Sequence, residues 1–254
     1  MLGAAGRMGR VVCFAVAAAP DMELVAAVDP AGAGEVEGVR VSASPEALVA
    51  AGAEVVVDFT VREAVLSNAR FCAEAGIHMV IGTTGLSAGE RGELERIFEG
   101  GRANAVVAPN FSIGAVLMMH FAEVAARFAD SAEIIELHHQ TKRDAPSGTA
   151  LETAERIAEV RSQMGRGDLS QGTEVVSLPG SRGGESKGGV RVHSVRLPGL
   201  VAHQEVIFGM EGQVLTIRHD SLDRSSFMPG VLLALRRVAE LPGVTWGLEA
   251  LVGL

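Results

Sequence analysis

The segment Glu136-Leu137-His138-His139-Gln140-Thr141-Lys142-Arg143-Asp144-Ala145-Pro146-Ser147-Gly148-Thr149-Ala150 gathers proton-transfer and anion-binding groups in one short loop. Two adjacent histidines and a lysine fall where an apolar strand ends. Adjacent residues at a strand end point in different directions, so the two histidines are expected to take different tasks, one facing a reacting atom and one binding. Histidine titrates near neutrality and makes an efficient general acid there. Pro146 pre-sets a helix start, Ser147 is a good N-cap, and Gly148-Thr149 form the first turn. The free N–H groups of such a turn hold an anion, for example a substrate carboxylate. Three plainer readings compete. Histidine and lysine near a turn are commonly just solvated. A metal would need a third ligand, and no His, Cys or carboxylate stands at a supporting spacing, so no metal is expected. Ser147 lacks the pattern of a nucleophile elbow and reads as a cap. Of the other histidines, His78, His120, His193, His203 and His219 lie in apolar or strand contexts and read mostly as structural.

A second constellation opens the chain. Gly3-Ala4-Ala5-Gly6-Arg7-Met8-Gly9 precedes a helical stretch, and Asp29 ends the next strand. Glycines so spaced let the backbone turn tightly and approach a pyrophosphate at a helix N-terminus. A strand-end carboxylate then accepts hydrogen bonds from an adenosine ribose. Asp29 would repel a 2′-phosphate and Pro30 offers no cation, although Arg7 partly compensates. The cofactor is therefore expected to be NADH or NADPH, with NADH accepted at least as well. One feature runs against this pattern: a dinucleotide fold carries an apolar strand before its glycine loop, and only Met1 and Leu2 precede Gly3. The expectation is that Met1 lies a few codons inside the true start. The chain as given would then lack most of a central strand, leaving its neighbours unpaired.

The elements that must hold these groups follow from hydrophobic periodicity. The first half alternates: a helix over Arg7–Ala19, a strand over Met22–Asp29, a helix over Ser44–Ala51 started by Pro45, and a β-branched strand over Glu54–Thr60. A helix over Val61–Ala75 follows, with Gly76 at its C-cap. Then come a strand over Ile77–Ile81, Gly82-Thr83-Thr84-Gly85, a helix from Ser87 to about Phe98, and a strand over Ala103–Ala108 broken at Pro109. Such alternation predicts an α/β domain with a largely parallel, Rossmann-like sheet. The second half reads as a long helix over Ser112–Phe128, a strand over Ala132–Leu137 and a helix over Gly148–Ser162. Two glycine-rich stretches, Gly165–Gly172 and Gly180–Gly189, come next. Strands fall near Glu174–Leu178, Val190–Leu197, His203–Met210 and Val214–His219, and a helix spans about Ser225 to Glu240. Successive strands predict an α+β domain with a mixed sheet, beginning near Asn110.

Composition bounds the function. At 48% hydrophobic and 21% charged, the chain reads as an ordinary globular protein with a sizeable core. Its net charge of −9 argues against nucleic acid or anionic lipid as partner. Cys13 and Cys72 make no disulfide framework and read as small buried hydrophobes. No apolar run reaches membrane-span length and no signal-peptide cleavage pattern follows Val11–Ala19, so a cytoplasmic protein is expected.

Taken together, GAAGRMG at Gly3, VVVDFT at Val55, VIGTTG at Val80, APNFSIGAVLMMHFA at Ala108, ELHHQTKRDAPSGTA at Glu136, and the segments LPGLVAHQEVIFG and IRHDSLDRSSFMPGVLLAL between Leu197 and Leu235 resemble the dihydrodipicolinate reductase family. Its members are also called 4-hydroxy-tetrahydrodipicolinate reductases, of bacterial lysine and diaminopimelate synthesis, and the chain looks most like the actinobacterial ones. The resemblance implies a nicotinamide cofactor lying along Gly3, Ala4, Ala5, Gly6, Arg7 and Met8, with Asp29 on the ribose. Gly82, Thr83 and Thr84 would line the nicotinamide side, and Ala108, Pro109, Asn110 and Phe111 would form the hinge. It implies His138 as proton donor and acceptor, Lys142 as proton donor, His139 as a substrate ligand, and Gly148 with Thr149 as the holders of a carboxylate. The substrate would be a small cyclic imine with two carboxylates. A homotetramer built through the second domain's sheet is implied as well. So is a discontinuous dinucleotide-binding domain, residues 1–110 and 221–254, around a substrate-binding and oligomerisation domain, residues 111–220. Two alternatives remain: another dehydrogenase on the same scaffold, of the homoserine or aspartate type, and a nucleotide-binding homologue impaired in catalysis.

Overall fold

Leu2 decides the architecture of the N-terminal half. Its amide donates to the Val57 carbonyl at 2.8 Å, its carbonyl accepts from Phe59 N, and it bridges Val28 on one side and Asp58 on the other, both in parallel. The structure, a computed structural model, describes residues 1–32, 34–169 and 175–254. These divide into two compact units, Met1–Ile113 with Arg224–Leu254, and Gly114–Asp223.

In chain order the elements are α1 (Arg7–Ala18), β1 (Ala27–Val28), β2 (Glu35–Val36), β3 (Val39–Ser42), α2 (Glu46–Ala50), β4 (Val55–Asp58), α3 (Arg62–Ala75), β5 (His78–Ile81), α4 (Ala88–Phe98) and β6 (Ala105–Val107). There follow α5 (Ile113–Ala126), β7 (Ser131–His138), α6 (Gly148–Gln163), β8 (Gly184–Glu185), β9 (Arg191–Arg196), β10 (Ala202–Met210) and β11 (Gln213–Ser221). Last come α7 (Met228–Arg237), β12 (Val244–Trp246) and α8 (Glu249–Val252).

The first unit is a parallel α/β sheet in the order β12-β6-β5-β4, continued through the Met1–Leu2 bridges to β1-β3-β2, where only the β2–β3 pair is antiparallel. Strand order reverses on either side of Leu2, and at such a switch point a crevice opens at the carboxyl ends of the strands. The glycine loop sits there. The strands are buried on both faces, so they read as continuous apolar runs: Val56, Met79, Ile81 and Ala105 pack with Val65 and Ala69 of α3 and with Leu94 and Phe98 of α4. Local chemistry sets the helix ends. Ser87 and Glu90 close a reciprocal capping box at the start of α4, and Gly76 ends α3 in the left-handed region at φ 73°.

The second unit carries the sheet β11-β10-β7-β9-β8, in which β7 and β9 run parallel and the other pairs antiparallel. This is the mixed sheet expected. β7 lies at its centre, and its alternation buries Ala132, Ile134 and Glu136 on one face. A carboxylate thus occupies a position that the pattern reserves for an apolar side chain.

Several expectations need correction. The strand read over Met22–Asp29 is regular only at Ala27–Val28, where Met1–Gly3 and β3 supply backbone partners. Residues 21–26 instead border a cavity of about 530 Å³, with Met1, Val12, Val16, Ala53, Val55 and Val57 among its other walls. Leu2 pairs on both sides, so its neighbours are not left unpaired beside it. The hairpin β2–β3 was not anticipated; Glu37 and Gly38 turn it with φ of 48° and 78°. Of the strand expected near Glu174–Leu178, Glu174 lies outside the described residues and residues 175–178 are not extended into any ladder. Part of the glycine-rich stretch ending at Gly172 is likewise outside the described residues. The helix expected over Ser225–Glu240 is α only over α7, with a 3-10 turn at each end. β12 and α8, which follow it, were not foreseen.

Candidate active site

The first unit shapes a cradle around the glycine loop. Gly3 has φ 80°, and a Cβ there would lie 2.5 Å from the Phe59 carbonyl oxygen. At Gly9 a Cβ would lie 2.0 Å from the Gly3 carbonyl oxygen, so both positions exclude any side chain. Gly6 is the N-cap of α1 and supplies no side-chain cap, leaving first-turn N–H groups for an anion. The loop opens on a cavity of about 420 Å³ lined by Gly6, Arg7, Met8, Phe59, Thr60, Val61, Arg62, Gly82, Thr83 and Thr84. Asp29, just after β1, holds the loop: its Oδ2 accepts from Ala5 N and its Oδ1 from Ala31 N, both at 3.0 Å. Ala4 is buried and forms the floor of the turn. This geometry fits a dinucleotide, because an uncapped helix start, close-approach glycines and a strand-end carboxylate converge on one crevice.

Ala108, Pro109, Asn110 and Phe111 follow β6. Ala108 N donates to the Ile81 carbonyl, and Asn110 Oδ1 accepts from Ser112 N at 2.9 Å. The Phe111 ring lies 5.9 Å from the ring of Phe59, itself a wall of the cavity. Sequence reading missed Asp58. Its buried carboxylate accepts from Thr60 N and Oγ1, Asn68 Nδ2 and Thr83 Oγ1, tying together the loops after β4 and β5. An acid ending a β-branched run was the available signal.

The second unit brings together the His-Lys loop and the start of α6. Glu136 and His138 share one face of β7, two residues apart. Glu136 Oε2 receives His138 Nδ1 at 2.5 Å and Arg196 Nη1 at 2.8 Å. Its Oε1 receives Arg196 Nη2 at 2.7 Å and Ser147 N at 3.2 Å. Burial alone would raise the Glu136 carboxyl, but hydrogen bonds from His138 and Arg196 overcome it and hold the group down at about 2. Lys142 Nζ donates to Asp144 Oδ2 at 2.8 Å, and that contact holds Asp144 below the usual carboxylate range. Arg196 Nη2 also donates to the Asp144 backbone carbonyl at 2.7 Å, so one guanidinium ties Glu136 to the loop that carries Lys142.

Ser147 caps α6 by accepting from Ala150 N at 3.2 Å, as its residue type predicts. Gly148 is exposed, and a Cβ there would meet nothing within 4 Å, so no neighbour covers that position. Thr149 is tied from behind, its carbonyl accepting from Thr153 Oγ1. His139 is exposed and its Nδ1 pairs with Thr141 Oγ1 at 2.8 Å; it stands apart from the Glu136 cluster. Arg196, some sixty residues from Glu136 in the chain, left no signal in the sequence. Cys13 and Cys72 are free and buried, with burial pushing the Cys72 thiol up to about 12. Among the described residues no three His, Cys, Asp or Glu groups gather for a metal, and no helix is long and apolar enough to cross a membrane.

Family models describe both halves of the chain: the dihydrodipicolinate reductase N-terminus matches residues 1–111, and the C-terminus matches residues 114–252. The chain belongs to the dihydrodipicolinate reductase family. It is 52% identical over 255 residues to the 4-hydroxy-tetrahydrodipicolinate reductase of Nocardia farcinica, covering 100% of this chain and 98% of that relative. The counterpart in Cutibacterium acnes is 52% identical over 256 residues with the same coverage. Among solved structures, the dipicolinate-bound dihydrodipicolinate reductase from Paenisporosarcina sp. TG-14 superposes with a TM-score of 0.86 at 38% identity, over 98% of this chain and 97% of that one. A myo-inositol dehydrogenase from Corynebacterium glutamicum, at 16% identity and a TM-score of 0.57, covers 95% of this chain and 88% of its own, and shares the fold alone. As a member of the reductase family the chain is an oxidoreductase that uses NAD(P)H. No feature of the described residues supports an impaired homologue.

Proposed function

We propose that this chain reduces 4-hydroxy-tetrahydrodipicolinate, by way of dihydrodipicolinate, to tetrahydrodipicolinate with NAD(P)H, in lysine and diaminopimelate synthesis. The observation that carries the reading is the Glu136 cluster: one buried carboxylate fixes a histidine and seats a capped helix start that is open above Gly148. A dianionic cyclic imine needs both, an anion cradle and an acid.

Residues 1–110 and 221–254 form the cofactor-binding domain, along Gly3–Met8, Asp29, Gly82–Thr84 and Ala108–Phe111. Residues 111–220 form the substrate-binding and oligomerisation domain. The cofactor, when bound, supplies hydride to the substrate's C4 after the 4-hydroxyl has left as water. The chain's residues do the rest. Gly148 and Thr149 hold a substrate carboxylate on their N–H groups, and His139 adds a polar contact. Lys142 provides positive charge that offsets the chain's −9 and stabilises the electrons displaced toward the ring nitrogen. His138 then delivers a proton to the ring carbon next to the reduced one, completing the addition.

The face of the second sheet opposite Glu136 supports a homotetramer. It carries the half-buried Ile135, Leu137 and Ile207, and on the edge strand β11 Val214 is 69% exposed. A half-apolar face of this kind fits a second copy of the chain. The cytoplasm, where NAD(P)H and amino-acid precursors are found, is the compartment proposed.

One assay tests the activity: NADH oxidation followed at 340 nm on adding the freshly generated product of pyruvate and aspartate semialdehyde condensation. Substrate-dependent loss of absorbance is expected. Its absence, in protein that binds NADH, would overturn the reading.

A further inference from the structure

Glu136 sits where the β7 pattern calls for an apolar side chain and is 0% exposed. An ionised carboxylate survives burial only when its lone pairs are filled. Here each oxygen takes two donors: Oε2 takes His138 Nδ1 and Arg196 Nη1, and Oε1 takes Arg196 Nη2 and Ser147 N. The paired guanidinium makes a planar two-point grip, which fixes the carboxylate plane as well as its position. The Ser147 amide ties the same carboxylate to the start of α6. Glu136 is therefore held from three chain segments, while only one of its contacts reaches a group able to transfer a proton.

We propose that Glu136 is a positioning residue that acts through His138, holding the imidazole by Nδ1–H so that Nε2 is the nitrogen that exchanges the proton with substrate. This rests on the assignment of His138 as the proton donor. A carboxylate filled by Arg196 and Ser147 has no proton to give, so the shared proton belongs to Nδ1. Nε2 is left without a partner from this cluster, to take a proton from water and give it to the substrate carbon. Packing alone would be met equally well by leucine. Tautomer control requires an acceptor at this position.

The test begins with the intact enzyme. Nitrogen-15 histidine NMR, with His138 assigned by its disappearance in His138→Gln, should show the neutral ring protonated on Nδ1. A neutral ring protonated on Nε2 overturns the proposal, whatever any variant does. Glu136→Gln places an amide there and should lower kcat ~10²-fold or more, with the NADH dissociation constant unchanged and the ring tautomer mixed. In a His138→Ala background the same change should cost kcat under ~3-fold, because effects of residues acting as a unit do not multiply. If Glu136→Gln keeps kcat within ~3-fold of the parent, or if its loss multiplies fully with His138→Ala, Glu136 does not act through His138. Failure of the underlying reading looks different: His138→Ala alone would then leave kcat intact.

Discussion

Thr83 donates its hydroxyl to Asp58 Oδ1 at 3.0 Å, joining the loop after β5 to the end of β4 beside the cavity at the glycine loop. Asp58 is fully buried and also holds Thr60 and Asn68, so both loops take their shape from one carboxylate. Glycine-rich motifs draw attention to backbone, but here the backbone's path depends on a side chain beneath it.

Replacing Asp58 with alanine should weaken both stability and cofactor binding. Each buried donor left without an acceptor costs about 1–3 kcal/mol, and about 1.4 kcal/mol of misplacement at the cavity is tenfold in affinity. A lowered melting temperature together with a roughly tenfold higher NADH dissociation constant is expected from fluorescence titration. A melting shift with unchanged NADH affinity would limit Asp58 to a structural part.

Lys142→Ala and His138→Ala should act on turnover and leave the cofactor bound. Both belong to the second unit, whereas the glycine loop belongs to the first. Loss of general acid–base help is worth ~10²–10⁴-fold in kcat. NADH affinity should stay within about twofold, far below the change of tenfold per 1.4 kcal/mol that a lost contact would bring. Near-normal kcat in either variant would remove that residue from the mechanism.

NADH should bind at least as tightly as NADPH. The Asp29 carboxylate stands beside the glycine loop with Oδ2 on Ala5 N, where a carboxylate would accept from a ribose 2′-hydroxyl and repel a 2′-phosphate. Dissociation constants for the two cofactors at matched ionic strength decide this. A clear NADPH preference would show that Arg7 or another cation outweighs Asp29.

Adding about five apolar, β-branched residues ahead of Met1 should raise the melting temperature by lining the 530 Å³ cavity with strand. NADH binding should tighten with it, since Leu2 leads directly into the glycine loop. There is also a pH signature. The Met1 ammonium donates to the Ala26 carbonyl at 2.9 Å, and burial lowers its pKa from 8.0. A cation disfavoured in the fold means that the unfolded chain binds more protons. Stability should therefore rise with pH toward 8 and level off above it. The extended chain has an amide at that place and should lose the dependence. Equal melting curves for the two forms would show that Met1 and Leu2 already complete the sheet.

The sequence alone determined what is local. The cap at Ser147, the glycines at Gly3 and Gly9, the position of His138 at a strand end, the left-handed Gly76 and the alternation of the first half all follow from neighbours a few residues apart. Motifs spread from Gly3 to Leu235 were enough to indicate the family. Tertiary structure decided whatever depends on partners far along the chain. Arg196 reaches Glu136 because β9 pairs in parallel with β7, a register that no local pattern specifies. Asp58 became a hub only when β5 placed Thr83 beside it. Met22–Asp29 has the composition of a strand, yet it is regular for two residues only, because a strand is defined by the backbone alongside it. Leu2 shows the converse: a single residue suffices to carry the sheet across its centre when both neighbours are already in place.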